Sequence, residues 1–333
     1  MNLRLLIASA VALLLAACGG QDEPVAETAQ VDAAEALHAL FDEHFERQLE
    51  MNPLQATFIG DYRFNDRLAN SYSPEYRAAE QAMDEEFLAR LLEIDRDQLG
   101  EQDQLSYDIF RLNREQSLEG NEFPFHLVPV NQFYLYTNFF AQLGSGSSAH
   151  PFKTVKDYED FLSRADQAAE IVDQIIANMK DGMREGVVQP RILMEKMIPQ
   201  VEAHVVDNVE DSLFYTPVRN MPEDFSEEDR ARLTAAYEDK IANVIVPAYA
   251  RLANFVGDEY LEASRETVGL YAQPNGESWY EYMVRIRTTT DMTPDEIHQV
   301  GLDEVARIHG EMHTVMEEVG FEGDLKDFFE FVN

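Results

Sequence analysis

The feature that most constrains the fold is a long amphipathic pattern between Thr293 and Gly320. Apolar residues recur there at three- to five-residue steps, which is the spacing of one buried face of an α-helix. Thr293 suits the N-cap, Pro294 the first helical position, and Glu296 completes a capping box. Gly320 is typical of a helix end. The pattern predicts one long helix whose buried stripe is Ile297, Val300, Val305, Ile308, Met312, Val315 and Val319.

Similar patterns predict helices along most of the chain. Residues 52–73 are expected to form an ordered loop, residues 119–151 a packed loop with short helical pieces, and Thr288–Thr290 an extended or capping segment. No alternating apolar pattern is long enough to predict a strand. The fold class is therefore all-α, an elongated multi-helix unit. The other predicted helices are residues 33–51, 74–98, 101–118, 154–186, 190–208 and 226–255, the last kinked at Pro247.

The N-terminus has the anatomy of a bacterial lipoprotein signal. Arg4 precedes an apolar stretch over residues 5–15, and Leu15-Ala16-Ala17-Cys18 reads as a lipobox. The alternative, a transmembrane anchor, needs about 20 apolar residues. Residues 1–18 are thus a predicted signal peptide with Cys18 as the lipidation site, and residues 19–32 a flexible acidic tether. Gly19 favours sorting to the outer membrane, facing the periplasm.

The charge balance restricts the partners. The chain carries 63 acidic against 26 basic residues, a net charge of -37, and shows no basic patch. Such a surface repels phosphate backbones, so nucleic-acid binding is disfavoured. The acidity is explained by solubility, with a preference for basic substrates as the alternative. Cys18 is the single cysteine, so no intramolecular disulfide is possible.

Four stretches carry a resemblance to a known family. GLYAQPNGESWYEYMVRIRTTTDMTPDEIHQVGLDEVARI, which begins at Gly269, closely resembles a segment of the bacterial DUF-885 family. NPLQATFIGDYRFNDRL from Asn52, LSYDIFRLNRE from Leu105 and GVVQPRILMEK from Gly186 match in the same order and spacing. The resemblance covers roughly residues 35 to 333.

The family resemblance implies a secreted or lipid-anchored relative of zinc metallopeptidases. It also implies a downstream His-Glu-x-x-Pro-Gly-His metal stretch, which this sequence does not contain. We therefore expect residues 33–333 to be the N-terminal part of a larger metallopeptidase-like helical fold, truncated before the metal-site region. The full-length parent is expected to be a zinc-dependent peptide hydrolase, whereas this chain is expected to contain no catalytic residue, metal ligand or cofactor and to be inactive alone.

Candidate substrate-binding residues lie within the segment that begins at Gly269: Tyr280, Tyr282, Arg285, Arg287 and Thr289. Guanidinium groups can hold a peptide carboxylate with two hydrogen bonds, and hydroxyl groups can orient it. The alternative is that the arginines pair with the protein's abundant carboxylates and the threonines turn the chain. Residues 126–140 interleave amide, phenol and apolar groups, which suits either a cleft wall or a buried loop.

The HGEMH sequence, from His309 to His313, is the most tempting metal motif. Two histidines at i and i+4 share a helix face, as zinc requires. Glu311 lies two residues from each and points away from that face, and no third ligand is evident, so solvent-facing or packing histidines are the preferred interpretation. GSGSS, residues 144–148, lacks the lysine of a phosphate loop and the pattern of a nucleophile elbow.

Two functions therefore remain. In the first, this chain is the helical N-terminal portion of an envelope lipoprotein that resembles zinc peptidases, and it forms the walls of a channel for a peptide substrate. In the second, it is a non-catalytic helical lipoprotein that binds a ligand or a protein partner.

Overall fold

The computed structural model describes residues 25–332 of the chain, with side chains from residue 32. The predicted signal peptide, Cys18 and residues 19–24 of the predicted tether lie outside the described residues. Those described residues form α1 (Val25–Met51), α2 (Pro53–Phe58), α3 (Pro74–Leu92), α4 (Glu101–Gly120), α5 (Tyr136–Gly144), α6 (Val155–Glu185), α7 (Arg191–Glu202), α8 (Thr216–Arg219), α9 (Glu227–Lys240), α10 (Val246–Phe255), α11 (Leu261–Ala263), α12 (Gly276–Thr288), α13 (Pro294–Glu318) and α14 (Leu325–Val332).

The all-α class predicted from the sequence is confirmed. Residues 25–332 contain no strand, and the nearest approach to one is a single parallel bridge between Pro190 and Arg265. None of the described helices is long and apolar enough to cross a membrane.

Local capping chemistry fixes the helix boundaries that the sequence predicted. The Ser73 side chain accepts from the Tyr76 amide at 3.1 Å and begins α3. Complete capping boxes at Thr154 and Thr293 begin α6 and α13. Gly186 ends α6 with φ +75°, a left-handed conformation that glycine adopts without strain.

The main core surrounds α6. The buried side chains of α6 pack against those of α5, α9 and α10, and they include Tyr158, Phe161, Ile171, Ile175 and Met179. Helix α7 joins this core through its contacts with α5 and α10. A second core joins α1, α3 and α4 through Leu37, Leu40, Met83, Phe87, Leu91 and Tyr107. The second core holds α3 and α4 together, and a cleft opens between them and the segment that follows α4.

Several predicted boundaries need correction. The first helix begins at Val25, so residues 25–32 are helical instead of belonging to the tether. Asn52 ends α1 but also caps α2, because its side chain accepts from the Gln55 amide at 3.3 Å, so a short helix replaces the start of the expected loop. The third helix stops at Leu92 and α7 at Glu202, both short of the predicted ends.

The predicted kink at Pro247 takes the form of a wider helical turn. Residues Ile241–Ile245 form one π-helical turn immediately before α10, and Pro247 lies in the first turn of α10. A π turn displaces the local hydrogen-bond register, which accommodates the missing N–H of proline. Ile241 and Ile245 remain buried on either side of this turn.

The helix predicted between Thr293 and Gly320 is present as α13, but its apolar stripe is not buried as expected. Val300, Val305 and Val315 are 46–52% exposed, and Met316 is the buried residue of this helix. The principal packing partner of α13 within residues 25–332 is α14. The periodicity correctly indicated a face suited to burial, but it does not specify an element that covers that face.

Candidate functional site

One cleft has a volume of about 970 Å³ and lies between α3, α4, residues 121–134 and α12. This size is at the upper end of the range of small-molecule and peptide-fragment sites. Its lining combines aromatic rings, amides and few charged groups: Tyr72, Arg77, Glu80, Gln81, Asn121, Phe123, Phe125, His126, Asn131, Tyr134, Gln189, Trp279, Tyr282 and Met283. The cleft therefore has the apolar surface and the sparse polar groups of a binding site.

Aromatic rings form one wall of the cleft. The Phe123 and Tyr282 rings stack with centroids 4.8 Å apart, and the Phe125 ring meets Trp279 edge-on at 5.0 Å. The Tyr282 hydroxyl donates to a backbone carbonyl of α4 at 2.9 Å. At Gly120 a Cβ would lie 2.5 Å from the Tyr282 hydroxyl oxygen, so glycine permits the close approach of α4 and α12. This wall is rigid because each ring is held by others.

Trp279 has an unpaired donor in this wall. Its side chain is 1% exposed, and its indole Nε1–H has no hydrogen-bond acceptor among the described residues. Burying an N–H without an acceptor costs about 1–3 kcal/mol.

Arg77 and His126 also line the cleft. Arg77 Nη1 donates to the Tyr72 carbonyl oxygen at 2.7 Å, and no carboxylate within the described residues lies within ion-pair distance of its guanidinium. Burial lowers the pKa of His126, and the Arg77 charge lowers it further, against a smaller opposing effect of two acidic residues of α6. His126 is therefore neutral at neutral pH, and Arg77 is the positive charge in the cleft.

The loop between α4 and α5 is held in place by amide side chains. Gln189 Nε2 donates to the carbonyl oxygens of Val128 and Val130 at 3.1 and 3.0 Å. Asn131 Oδ1 accepts from the backbone amides of Phe133 and Tyr134 at 2.8 and 3.1 Å. These bonds fix the part of residues 126–140 that lines the cleft, so that wall is preformed.

The predicted substrate-binding residues do not form one site. Tyr282 alone lines the large cleft. Arg285 pairs with Glu119, and it lines a separate hollow of about 230 Å³ with Thr289. Tyr280 packs against Tyr271 in a tilted arrangement with ring centroids 5.0 Å apart, and Arg287 is exposed.

Two of these side chains adopt the alternative roles recognised in the sequence. Arg285 forms an ion pair with Glu119 of the same chain, which is the alternative that the excess of carboxylates indicated. Thr289 is the left-handed C-cap of α12 with φ +55°, while Thr288 is still helical, so the threonine run ends a helix instead of forming an extended segment. Sequence reasoning missed Arg77, His126 and Trp279 as a set, because they are far apart in the chain and no local motif links them.

The described residues do not fit a zinc site. His309 and His313 are both exposed on α13, and Glu311 pairs with Arg307 at 2.6 Å. Residues 32–332, whose side chains the structure describes, contain no group of three or more His, Cys, Asp or Glu side chains placed to hold a metal ion. Zinc in proteins takes three or four such ligands, so no hydrolytic step through a metal is derived for these residues.

Comparison with known proteins places the chain in a family. The model of the family described as "Bacterial protein of unknown function (DUF885)" matches residues 53–333. The chain belongs to the DUF885 family. No curated protein matches this DUF885 chain.

A solved structure supports the fold of this DUF885 chain. The crystal structure of "the putative lipoprotein from Colwellia psychrerythraea" superimposes with a TM-score of 0.73 at 20% sequence identity. The match covers 87% of this chain and 52% of that one. The chain thus spans about half the length of that structure, and the likeness establishes the shared helical fold.

Proposed function

We propose that this chain is the N-terminal helical portion of an envelope lipoprotein and that its cleft forms the wall of a peptide-binding channel. The single observation that carries the proposal is the 970 Å³ cleft with a rigid aromatic wall and a preformed amide-fixed loop. Peptides present apolar side chains and backbone carbonyls together, and this lining offers partners for both.

The envelope location is supported by the lipobox at Cys18 and by the lipoprotein named for the similar solved structure. Gly19 after the cysteine favours the outer membrane facing the periplasm. The zinc and the hydrolytic residues are proposed to belong to the remainder of the full-length parent, by resemblance to metallopeptidases. The residues described here bind and orient the substrate, which is the contribution that positioning makes to catalysis.

Peptide binding to the cleft can be followed by tryptophan fluorescence. Trp279 is the single tryptophan of the chain, so its fluorescence reports directly on occupancy of the cleft. Titration of the full chain with a mixed library of short peptides should change the emission of Trp279 in a saturable manner. Free amino acids at equal concentration should change it far less, because they bury less surface.

A matched pair of α3 variants locates the binding. Ala78 is exposed and lines the cleft, whereas its neighbour Ala79 is exposed and lies outside it. Ala78→Phe should weaken peptide binding at least tenfold, since a lost contact worth about 1.4 kcal/mol changes affinity by that factor. Ala79→Phe should leave it unchanged. No response of Trp279 to any peptide, or equal binding by the two variants, would contradict the proposal.

A further inference from the structure

Among the described residues, Arg77 is the one lysine or arginine that lines the cleft. The chain has 63 acidic and 26 basic residues, and many of its described arginines pair with carboxylates, as Arg90 pairs with Glu43 at 2.6 Å. Arg77 is partly buried in the cleft wall, and no carboxylate of residues 32–332, whose side chains the structure describes, lies within 4.0 Å of its guanidinium. Glu80 also lines the cleft one turn further along α3, but it forms no ion pair with Arg77. In so acidic a chain, a cation that stays free in a cleft indicates an anionic ligand.

The Arg77 guanidinium is also oriented. Nη1 donates to the Tyr72 carbonyl oxygen at 2.7 Å, which fixes the plane of the group. A guanidinium has five N–H donors, and two parallel ones match the two oxygens of a carboxylate. Arg77 lies in the first turn of α3, and Ser71, Tyr72 and Pro74 at the start of this helix also line the cleft. The positive end of the helix dipole therefore adds to the attraction for an anion.

Phe125 provides an apolar surface in the same cleft. Its ring is 40% exposed and meets the buried Trp279 edge-on at 5.0 Å. The ring is therefore held in place while part of it stays open to a side chain bound in the cleft. A cation and an exposed aromatic ring in one cleft match the C-terminal residue of a peptide, which carries a carboxylate and a side chain.

We propose that the cleft recognises the free C-terminal carboxylate of a peptide through Arg77, with a large apolar or aromatic terminal side chain packed against Phe125. This inference rests on the proposed function and specifies its substrate class. A single cation suits a singly charged carboxylate better than a phosphate group, and the net charge of -37 disfavours polyanions further.

The test compares two forms of one peptide. Acetyl-Ala-Ala-Phe ending in a carboxylate and the same peptide ending in a carboxamide are titrated against the full chain, with Trp279 fluorescence as the signal. The carboxylate form should bind about tenfold more tightly, since a hydrogen-bonded charge pair is worth at least that factor. Arg77→Gln should remove this preference and leave the affinity for the carboxamide unchanged. Arg77→Lys should keep part of it, because the charge remains without the planar fork.

Arg287→Gln is the matched control, since Arg287 is exposed and lies outside the cleft lining. Its preference for the carboxylate form should equal that of the wild-type chain. Far-UV circular dichroism establishes that each variant is folded. Equal binding of both peptides by the wild-type chain, or a preference that survives Arg77→Gln, would overturn the carboxylate site while the proposed peptide binding stands. Failure of both peptides to bind would overturn both proposals.

Discussion

The stability of the main core should depend on the protonation of one buried histidine. His150 is 1% exposed, and Arg164 Nη1 donates to its Nδ1 at 3.0 Å. His150 Nε2 lies 2.9 Å from the Asp157 carbonyl oxygen, to which it donates. Both contacts require the neutral ring with its proton on Nε2. A second proton would place an N–H against the guanidinium of Arg164, which is itself fully buried.

The magnitude follows from the pKa of His150. Burial lowers that pKa from 6.5 to about 4, and the Arg164 charge lowers it as well, while the Asp157 carbonyl opposes the shift. The unfolded chain therefore binds a proton at a pH where the native protein does not, so the native state loses stability as pH falls from about 6.5 to about 4. One pKa unit corresponds to about 1.4 kcal/mol, so the full loss is about 3 kcal/mol, of which about 2 kcal/mol has occurred by about pH 4.5.

The assay is urea denaturation of the wild-type chain and of His150→Gln at about pH 7 and about pH 4.5. Glutamine can donate its amide N–H to the Asp157 carbonyl and accept from Arg164, but it does not titrate. Other titrating groups contribute equally to both proteins and cancel in the comparison. The wild-type chain should lose about 2 kcal/mol more than His150→Gln between these pH values. Parallel losses in the two proteins would refute the assignment of a neutral, buried His150.

Further predictions concern packing, lipidation and metal. Gly182→Ala should lower the free energy of unfolding by about 1–3 kcal/mol in denaturation experiments, because a Cβ there would lie 2.5 and 2.8 Å from two backbone carbonyl oxygens. Gly257→Ala is the control and should not lower it, because a Cβ there would have no atom within 4 Å. Metabolic labelling should attach palmitate to the wild-type chain and not to Cys18→Ala, and equal label in both would exclude lipidation at that site. Mass spectrometry should find no stoichiometric zinc in this chain; one zinc per chain that is lost in His309→Ala would make HGEMH a metal site.

Features that depend on local chemistry were predictable from the sequence. The starts of α3, α6 and α13 depend on hydroxyl caps within three residues of the amides that they bind. The same local rules misassigned Asn52, because an Asn-Pro pair can end one helix and begin the next. Nor could periodicity establish whether α13 is covered, since packing partners come from elsewhere in the chain.

The candidate site was less predictable because long-range contacts decide it. Arg285 forms an ion pair with Glu119, which is 166 positions away in the sequence. The cleft instead combines Arg77 from α3, His126 from the loop after α4, and Trp279 from α12. Each of these residues is ordinary in its local sequence, and only the packing of α3, α4 and α12 brings them to one cavity. The interpretation of residues 126–140 as a cleft wall came closest, since His126, Asn131 and Tyr134 line it.

The most direct test of peptide binding in the cleft is photo-crosslinking. A short peptide that carries benzophenone on its terminal side chain is irradiated with the full chain, and the modified residues are identified by mass spectrometry. Met283 lies in the cleft lining, and methionine reacts readily with excited benzophenone. Crosslinks should fall on Met283 and on residues 121–134, and excess unlabelled peptide should suppress them. Crosslinks confined to the exposed apolar face of α13, or unaffected by competitor, would contradict a peptide-binding cleft.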